Sequence, residues 1–201
     1  MKSKYLSAAA ALLCVAGLAA CGGKGSGSLN LGVQVFGIDR AGLVLQNNGG
    51  DDLTITGTGN ALYYFKTLMA PDSQFNVTIK TAPDYVTCKL ANNTGKINYY
   101  TYQQTSVTCT PDAFTLGGTV SGLSGSGLVL ANGAQTLGVT ADGAWQFATP
   151  IGNGSVYGVT VLTQPANQTC TVTGGGNNLG AGTMPTSAVT TVLVTCVTKA
   201  S

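Results

Sequence analysis

The chain has 201 residues, of which only 8% are charged, and it contains 29 glycines, 6 cysteines and no histidine. This length accommodates one large domain or two small ones. From Cys21 onward seven cations balance seven anions, so no basic patch is available for phosphates and we expect no nucleic-acid partner. Frequent glycine and β-branched residues favour strands and turns over helices.

Residues 1–20 have the layout of a signal peptide, because two lysines precede an apolar run that is too short to span a bilayer. The run ends in Leu-Ala-Ala-Cys at residues 18–21, which resembles the lipobox of bacterial lipoproteins. The resemblance implies cleavage before Cys21 and attachment there of a diacylglyceryl group and an N-acyl chain such as palmitate, which together form a firm anchor. The alternative is an ordinary secretory leader that is cut elsewhere.

Gly22 follows the cysteine that we expect to be lipidated. Lipoproteins retained in the inner membrane of enteric-type bacteria often carry Asp at this position, so Gly22 favours the outer membrane by analogy. Either face of that membrane, periplasmic or cell-surface, is compatible with the sequence. Residues 21–30 are rich in Gly and Ser and have no pattern of residues to bury, which predicts a flexible tether.

The rest of the chain is one unit repeated twice. The motif Gly-Leu-Val-Leu occurs at residues 42–45 and 127–130, each time before an Asn-Gly turn, and each repeat closes with two Thr-Cys pairs. We place the domains at residues 31–110 and 115–198, with a short junction around Pro111. About seven short strands per repeat, at spacings of roughly ten residues, predict an all-β fold of two tandem Ig-like antiparallel β-sandwiches.

The strands follow from alternation of apolar and polar residues, which is clearest in the second repeat. They are predicted there at residues 118–121, 127–130, 137–140, 144–148, 156–161, 169–173 and 189–197. The first repeat follows the same plan, with Tyr63 and Phe65 at the positions of Trp145 and Phe147.

Four cysteines remain in the two repeats, at matching strands. Because the leader sends the chain to an oxidising compartment, we expect two disulfides, Cys88 with Cys109 and Cys170 with Cys196, each within its own domain. Each bond is worth about 3 kcal/mol in a chain-entropy calculation, which matters for domains this small. A zinc or redox site is disfavoured, because each repeat has only two cysteines, no histidine and no Cys-x-x-Cys spacing.

The sequence offers little for catalysis. Without histidine there is no imidazole base, and seven scattered aspartates without a glutamate do not indicate a paired-carboxylate hydrolase. We therefore expect no enzyme activity, no cofactor and no metal. The one alternative is a calcium ion at Asp51 and Asp52, in a polar turn whose counterpart in the second repeat has no carboxylate.

One difference between the repeats points to a binding surface. The first repeat has a tyrosine-rich stretch at residues 96–102, which we align with residues 179–185 of the second. Tyr99, Tyr100 and Tyr102 are candidate ligand contacts, because tyrosine offers rigid apolar area and a polar tip to a sugar ring or a protein surface. The alternative is an aromatic strand at a sheet edge, with no ligand.

The repeated Gly-Leu-Val-Leu, the Asn-Gly turn and the closing Val-Thr-Cys resemble repeat units of proteobacterial surface lipoproteins described as Ig-like. The resemblance covers residues 31–197 and implies a fold but no assigned activity. We expect a non-catalytic cell-envelope lipoprotein that is anchored in the membrane and acts as an adhesion or protein-interaction module. The alternatives are a carbohydrate-binding surface lipoprotein and a structural spacer, so the expected partner is an envelope protein or a glycan.

Overall fold

A computed structural model describes residues 28–199, so the signal peptide, Cys21 and most of the tether lie outside the described residues. The first half contains β1 (Leu29–Phe36), β2 (Val44–Asn47), β3 (Asp51–Thr54), β4 (Ala61–Met69), β5 (Gln74–Thr81), β6 (Val86–Ala91), β7 (Thr94–Lys96) and β8 (Thr105–Pro111). The rest contains β9 (Ala113–Phe114), β10 (Leu116–Ser121), β11 (Leu128–Asn132), β12 (Gln135–Val139), β13 (Gly143–Gln146), β14 (Ile151–Gly152), β15 (Val156–Thr163), β16 (Gln168–Gly174), β17 (Ala181–Thr183) and β18 (Val189–Thr198). The predicted all-β fold is confirmed, and the described part of the chain has no helix able to cross a membrane.

Each half consists of two four-stranded sheets with the same strand order. The first half has sheets β4-β1-β8-β6 and β3-β2-β5-β7, and the second has β13-β10-β18-β16 and β12-β11-β15-β17. Neighbouring strands are antiparallel, except that the first long strand of each half lies parallel to the last one, β1 beside β8 and β10 beside β18. The sandwiches are therefore not purely antiparallel, and each has eight strands in its sheets where about seven were predicted.

Each sandwich has its own hydrophobic core between its two sheets. Alternate side chains of β1 point inward and meet those of β2 and β5, as the period of two in a strand requires. The largest buried side chains include Phe65 in the first core and Phe147 in the second. Burial of an aliphatic or aromatic side chain of this kind is worth about 1.5–3 kcal/mol. The two cores share no residue among 28–199, so each half buries its own apolar surface.

The disulfides join the pairs that the sequence predicted. Cys88 and Cys109 lie directly opposite each other on β6 and β8, with their Cα atoms 4.0 Å apart. Cys170 and Cys196 occupy the same place on β16 and β18, also with a Cα separation of 4.0 Å. Each bond therefore links two neighbouring strands of one sheet within one sandwich.

Gly37 and Gly122 stand at matching positions directly after β1 and β10, with φ angles of 70° and 76°. A Cβ atom on Gly37 would lie 2.3 Å from the carbonyl oxygen of Cys109, and one on Gly122 would lie 2.4 Å from that of Cys196. Both the left-handed backbone and the close approach require glycine. The repeated glycine in the sequence therefore reflects the contact between the first strand and the disulfide-bearing last strand.

A buried glutamine fixes the turn between β10 and β11. Gln168 is 3% exposed, and its Oε1 accepts hydrogen bonds from the backbone N–H groups of Ser124 at 2.8 Å and Gly125 at 2.7 Å. Its Nε2 donates to the carbonyl oxygen of Gly122 at 2.7 Å. One side chain thus satisfies three backbone groups, which removes the cost of burying the amide.

The connection between the sandwiches is structured. The short strands β9 and β14 pair with each other, which ties the linker to the second sandwich. On the side of the first sandwich, the backbone N–H of Asp112 donates to the carbonyl oxygen of Tyr85 at 2.8 Å. The carbonyl oxygen of Asp112 accepts a hydrogen bond from the backbone N–H of Asn153, also at 2.8 Å. Tyr85 and Phe114 meet edge to face, with their ring centroids 6.5 Å apart.

An arginine from the first sandwich completes this junction. Nη1 of Arg40 donates to Oδ1 of Asn153 at 2.7 Å, and Asn153 is 8% exposed. Nδ2 of Asn153 donates to the carbonyl oxygen of Met184 at 3.2 Å. Arg40 also forms an ion pair with Asp39, and the hydrogen bond in that pair lowers the pKa of the Asp39 carboxyl. The junction therefore combines backbone bonds with one charge-assisted bond between the two halves.

Candidate functional site

Residues 97–102, which we call the tyrosine turn, have a backbone fixed by their own side chains. Oδ1 of Asn98 accepts hydrogen bonds from the N–H groups of Tyr100 at 2.9 Å and Thr101 at 3.1 Å. Oγ1 of Thr101 accepts one from the N–H of Asn98 at 2.9 Å and donates to the carbonyl oxygen of Lys96 at 2.7 Å. This reciprocal pattern is that of a capping box, so the turn is built locally.

The three tyrosines predicted as ligand contacts are not equivalent. Tyr99 is 73% exposed and Tyr100 is 88% exposed. Tyr102 instead packs against the first core, and its carbonyl oxygen accepts a hydrogen bond from the N–H of Gly32 at 2.6 Å. The structure therefore presents Tyr99 and Tyr100 to the surroundings, whereas Tyr102 also supports the fold.

Beside the turn lies an open cleft of about 450 Å³. It is lined by Ser28, Leu29, Asn30, Tyr64, Tyr99 and Tyr102. Tyr64, on β4, lines this cleft but was not among the predicted ligand contacts. The sequence assigned positions only to its neighbours Tyr63 and Phe65, as the counterparts of Trp145 and Phe147. The alternation along β4 is the signal that could have found it, since Phe65 faces the core and Tyr64 must then face outward.

The ring of Tyr64 lies over a glycine of the neighbouring strand. A Cβ atom on Gly32 would lie 3.1 Å from Cε1 of Tyr64, and the Tyr64 hydroxyl accepts a hydrogen bond from Nε2 of Gln103 at 2.5 Å. In the second sandwich Gly117 occupies the position of Gly32, but the residue opposite it is Gln146. The second sandwich therefore has an open groove of about 600 Å³ where the first has a tyrosine.

The tyrosine turn has a counterpart of equal length in the second sandwich. Ile97 and Met184 are both buried and directly follow β7 and β17, and each stands 12 residues before the second cysteine of its half (109 − 97 and 196 − 184). Residues 96–102 therefore correspond to 183–189, and the predicted alignment with 179–185 is wrong. The five additional residues between the cysteines of the second sandwich (26 − 21) lie before β17, in a glycine-rich loop that the sequence alignment ignored.

The carboxylates considered for calcium are already bonded to protein groups. Asp52 pairs with Lys80 and accepts a hydrogen bond from Gln46 at 2.7 Å. Oδ2 of Asp51 accepts the N–H of Thr67 at 3.1 Å. The bond to Lys80, followed by the bond to Gln46, lowers the pKa of Asp52. Within residues 28–199 no group of three or more His, Cys, Asp or Glu side chains could hold a metal ion.

The cleft beside the tyrosine turn offers aromatic faces, phenol hydroxyls and one amide, and none of the residues that line it is charged. Such a set of groups binds through apolar contact, stacking and neutral hydrogen bonds.

The chain matches no protein-family model, and no curated protein is similar to it.

Proposed function

We propose that this protein is a non-catalytic lipoprotein of the bacterial outer membrane that acts as an adhesion or protein-interaction module. Acyl chains on Cys21 would hold it at the membrane, and two Ig-like domains, residues 31–110 and 115–198, would project from that anchor. The supporting observation is the junction, in which Arg40 and Asn153 join the sandwiches end to end.

The direction of projection follows from β1. This strand begins beside the cleft that Ser28 lines, and the loop after its end carries Arg40 to the junction. Its eight residues span about 26 Å. An anchor on the N-terminal side therefore places the second sandwich farther from the membrane than the first.

The second sandwich offers a surface almost free of charge. Asp142 and Lys199 are the only charged side chains after residue 112, and threonine is the commonest residue at the outward positions of its strands. Four large apolar side chains are exposed among them, Val156, Leu162, Leu193 and Val197. Such a surface neither repels positively or negatively charged partners nor steers them by long-range electrostatic attraction. It suits contacts with many partner surfaces at short range, as expected of an adhesion or docking module.

The name Ig-like is proposed in a broad architectural sense. Each sandwich has about as many strands as an immunoglobulin domain, stacked in two sheets around one core. However, β1 and β2 lie in different sheets, whereas antibody constant domains keep their first two strands in the same sheet.

Cell fractionation combined with cross-linking tests this proposal. The wild-type protein should fractionate with the outer membrane, protease treatment of intact cells should decide which side it faces, and cross-linking should yield a defined envelope partner. Cys21→Ser should release the protein from the membrane without unfolding the sandwiches. A soluble wild-type protein with no cross-linked partner, or a hydrolytic activity that survives rigorous purification, would contradict the proposal.

Carbohydrate binding is a second candidate, favoured by the uncharged cleft that Tyr64, Tyr99 and Tyr102 line. A glycan array tests it: binding should be lost with Tyr99→Ala and kept with Ser187→Ala, which changes the corresponding turn of the second sandwich. An array with no signal would remove this candidate. A purely structural spacer is the third reading, and the same junction supports it.

A further inference from the structure

The chain enters the first sandwich next to the tyrosine turn. Ser28 donates its N–H to the carbonyl oxygen of Met69 at 3.1 Å and lines the same cleft as Tyr99 and Tyr102. Six residues lie between Cys21 and Ser28, so seven Cα-to-Cα steps join the two positions. A chain of that length reaches at most about 25 Å. If Cys21 carries acyl chains, this end of the sandwich must stay near the surface of the bilayer.

The side chains at this end suit a lipid interface. Tyr99 and Tyr100 are largely exposed on a turn whose backbone Asn98 fixes, and Leu68 is 51% exposed at the nearby end of β4. Tyrosine concentrates at membrane interfaces, because its ring enters the apolar boundary while its hydroxyl stays among the head groups. A fixed turn also loses little conformational entropy on contact.

The second sandwich provides an internal comparison. Its corresponding turn carries Thr186 and Ser187 where the first sandwich has Tyr99 and Tyr100. The aromatic pair therefore occurs on the sandwich next to the predicted anchor and is replaced by small polar residues on the distal one. All four side chains are exposed, so none of them contributes to the packing of either core.

We propose that the tyrosine turn rests in the interfacial region of the bilayer and so orients the first sandwich on the membrane. This inference depends on the proposed acylation of Cys21. Among the described residues at this end, Lys66 and Lys96 are balanced by Asp51 and Asp72. The tether adds the single charge of Lys24, so the contact depends mainly on the aromatic side chains and not on net charge. It should therefore be insensitive to salt, unlike a polybasic contact with anionic lipid.

Fluorescence quenching by brominated lipids tests the proposal. The mature acylated protein carrying Tyr100→Trp is reconstituted in vesicles of phosphatidylethanolamine and phosphatidylglycerol, with and without brominated acyl chains. Tyr100 is so exposed that its replacement should not disturb the fold. Trp145 is 8% exposed in the second core and provides the background signal in the unmodified protein. Ser187→Trp is the matched control, because it places an indole on the corresponding turn of the distal sandwich.

The indole introduced by Tyr100→Trp should emit at shorter wavelength and lose most of its added emission to brominated lipid, in low and high salt alike. The Ser187→Trp indole should be unaffected. If mass spectrometry finds no acyl chain on Cys21, the anchor and this inference fail together. If the acyl chains are present and the Tyr100→Trp indole is not quenched, the anchor stands and this inference alone is overturned. Glycan binding that Tyr100→Ala abolishes would likewise overturn it, by assigning the turn to a saccharide.

Discussion

Replacing Asn153 with alanine should loosen the junction between the two sandwiches. The side chain accepts a 2.7 Å hydrogen bond from Arg40 and donates a 3.2 Å bond to the carbonyl oxygen of Met184. A hydrogen bond to a charged group contributes about 1.5–3 kcal/mol and a neutral one about 1 kcal/mol. Because the Arg40 side chain is 31% exposed, the lower end of the first range applies. The expected loss in the free energy of unfolding is then about 2.5 kcal/mol.

Urea denaturation followed by tryptophan fluorescence measures this loss. The chain has one tryptophan, Trp145, and it lies in the second core, so its emission reports the unfolding of the second sandwich. A double-mutant cycle with Arg40→Met isolates the bond between the two halves, for which we expect a coupling energy of about 1.5 kcal/mol. Small-angle scattering of the Asn153→Ala protein should also show a wider distribution of interdomain distances. Ser187→Ala, on an exposed turn, should change neither result.

A coupling energy near zero together with unchanged scattering would refute this reasoning. The Arg40–Asn153 bond would then be incidental to how the sandwiches are joined, and the support that the junction gives to a projecting module would be lost.

The remaining predictions concern a buried amide, a covalent link and an exposed ion pair. Gln168→Leu should destabilise the second sandwich by about 3 kcal/mol, because three backbone groups lose their partners; thermal unfolding close to that of the wild type would contradict this. Replacing both Cys170 and Cys196 with alanine should cost about 3–4 kcal/mol, since the bond closes a loop of 26 residues. Reduction of the wild-type protein should cause a similar loss in denaturation experiments, and equal stability of the oxidised and reduced forms would argue against it. Because Lys80 lowers the pKa of Asp52 in the folded state, the pair stabilises the fold above the unfolded pKa of about 3.9 and ceases to do so as the pH falls through the lower folded value. In an NMR titration Lys80→Ala should raise the Asp52 pKa toward its ordinary value, and an unchanged pKa would show that the pair does not form in solution.

The strands and the disulfide pairs could be predicted because their signals are local. Alternation along a strand places Leu31 and Val33 inward whatever the rest of the chain does, and an Asn-Gly pair specifies its own turn. The pairing of Cys88 with Cys109 followed from matching positions in a repeated unit and from the expected compartment. Neighbouring residues and the duplication of the unit therefore suffice to predict both features.

The candidate site could be predicted only in part. The tyrosine-rich stretch was visible in the sequence, but the alignment of the two repeats there was wrong, because it did not allow for the longer loop before β17. Buried Ile97 and Met184 fix the correspondence, and burial is a property of the folded chain. Tyr64 joins the cleft from a different strand, and no local pattern connects it with the turn.

From the sequence by itself came the duplication, the β-strands, the cysteine pairs and the prediction of an anchored envelope protein, since each depends on residue type and short spacing. The tertiary structure decided the parallel pairing of the first and last strands, the separation of Tyr102 from Tyr99 and Tyr100, and the bond from Arg40 to Asn153. Those two residues are 113 positions apart. Contacts over such distances form only when complete sheets have packed around their cores, so no local pattern of residues encodes them.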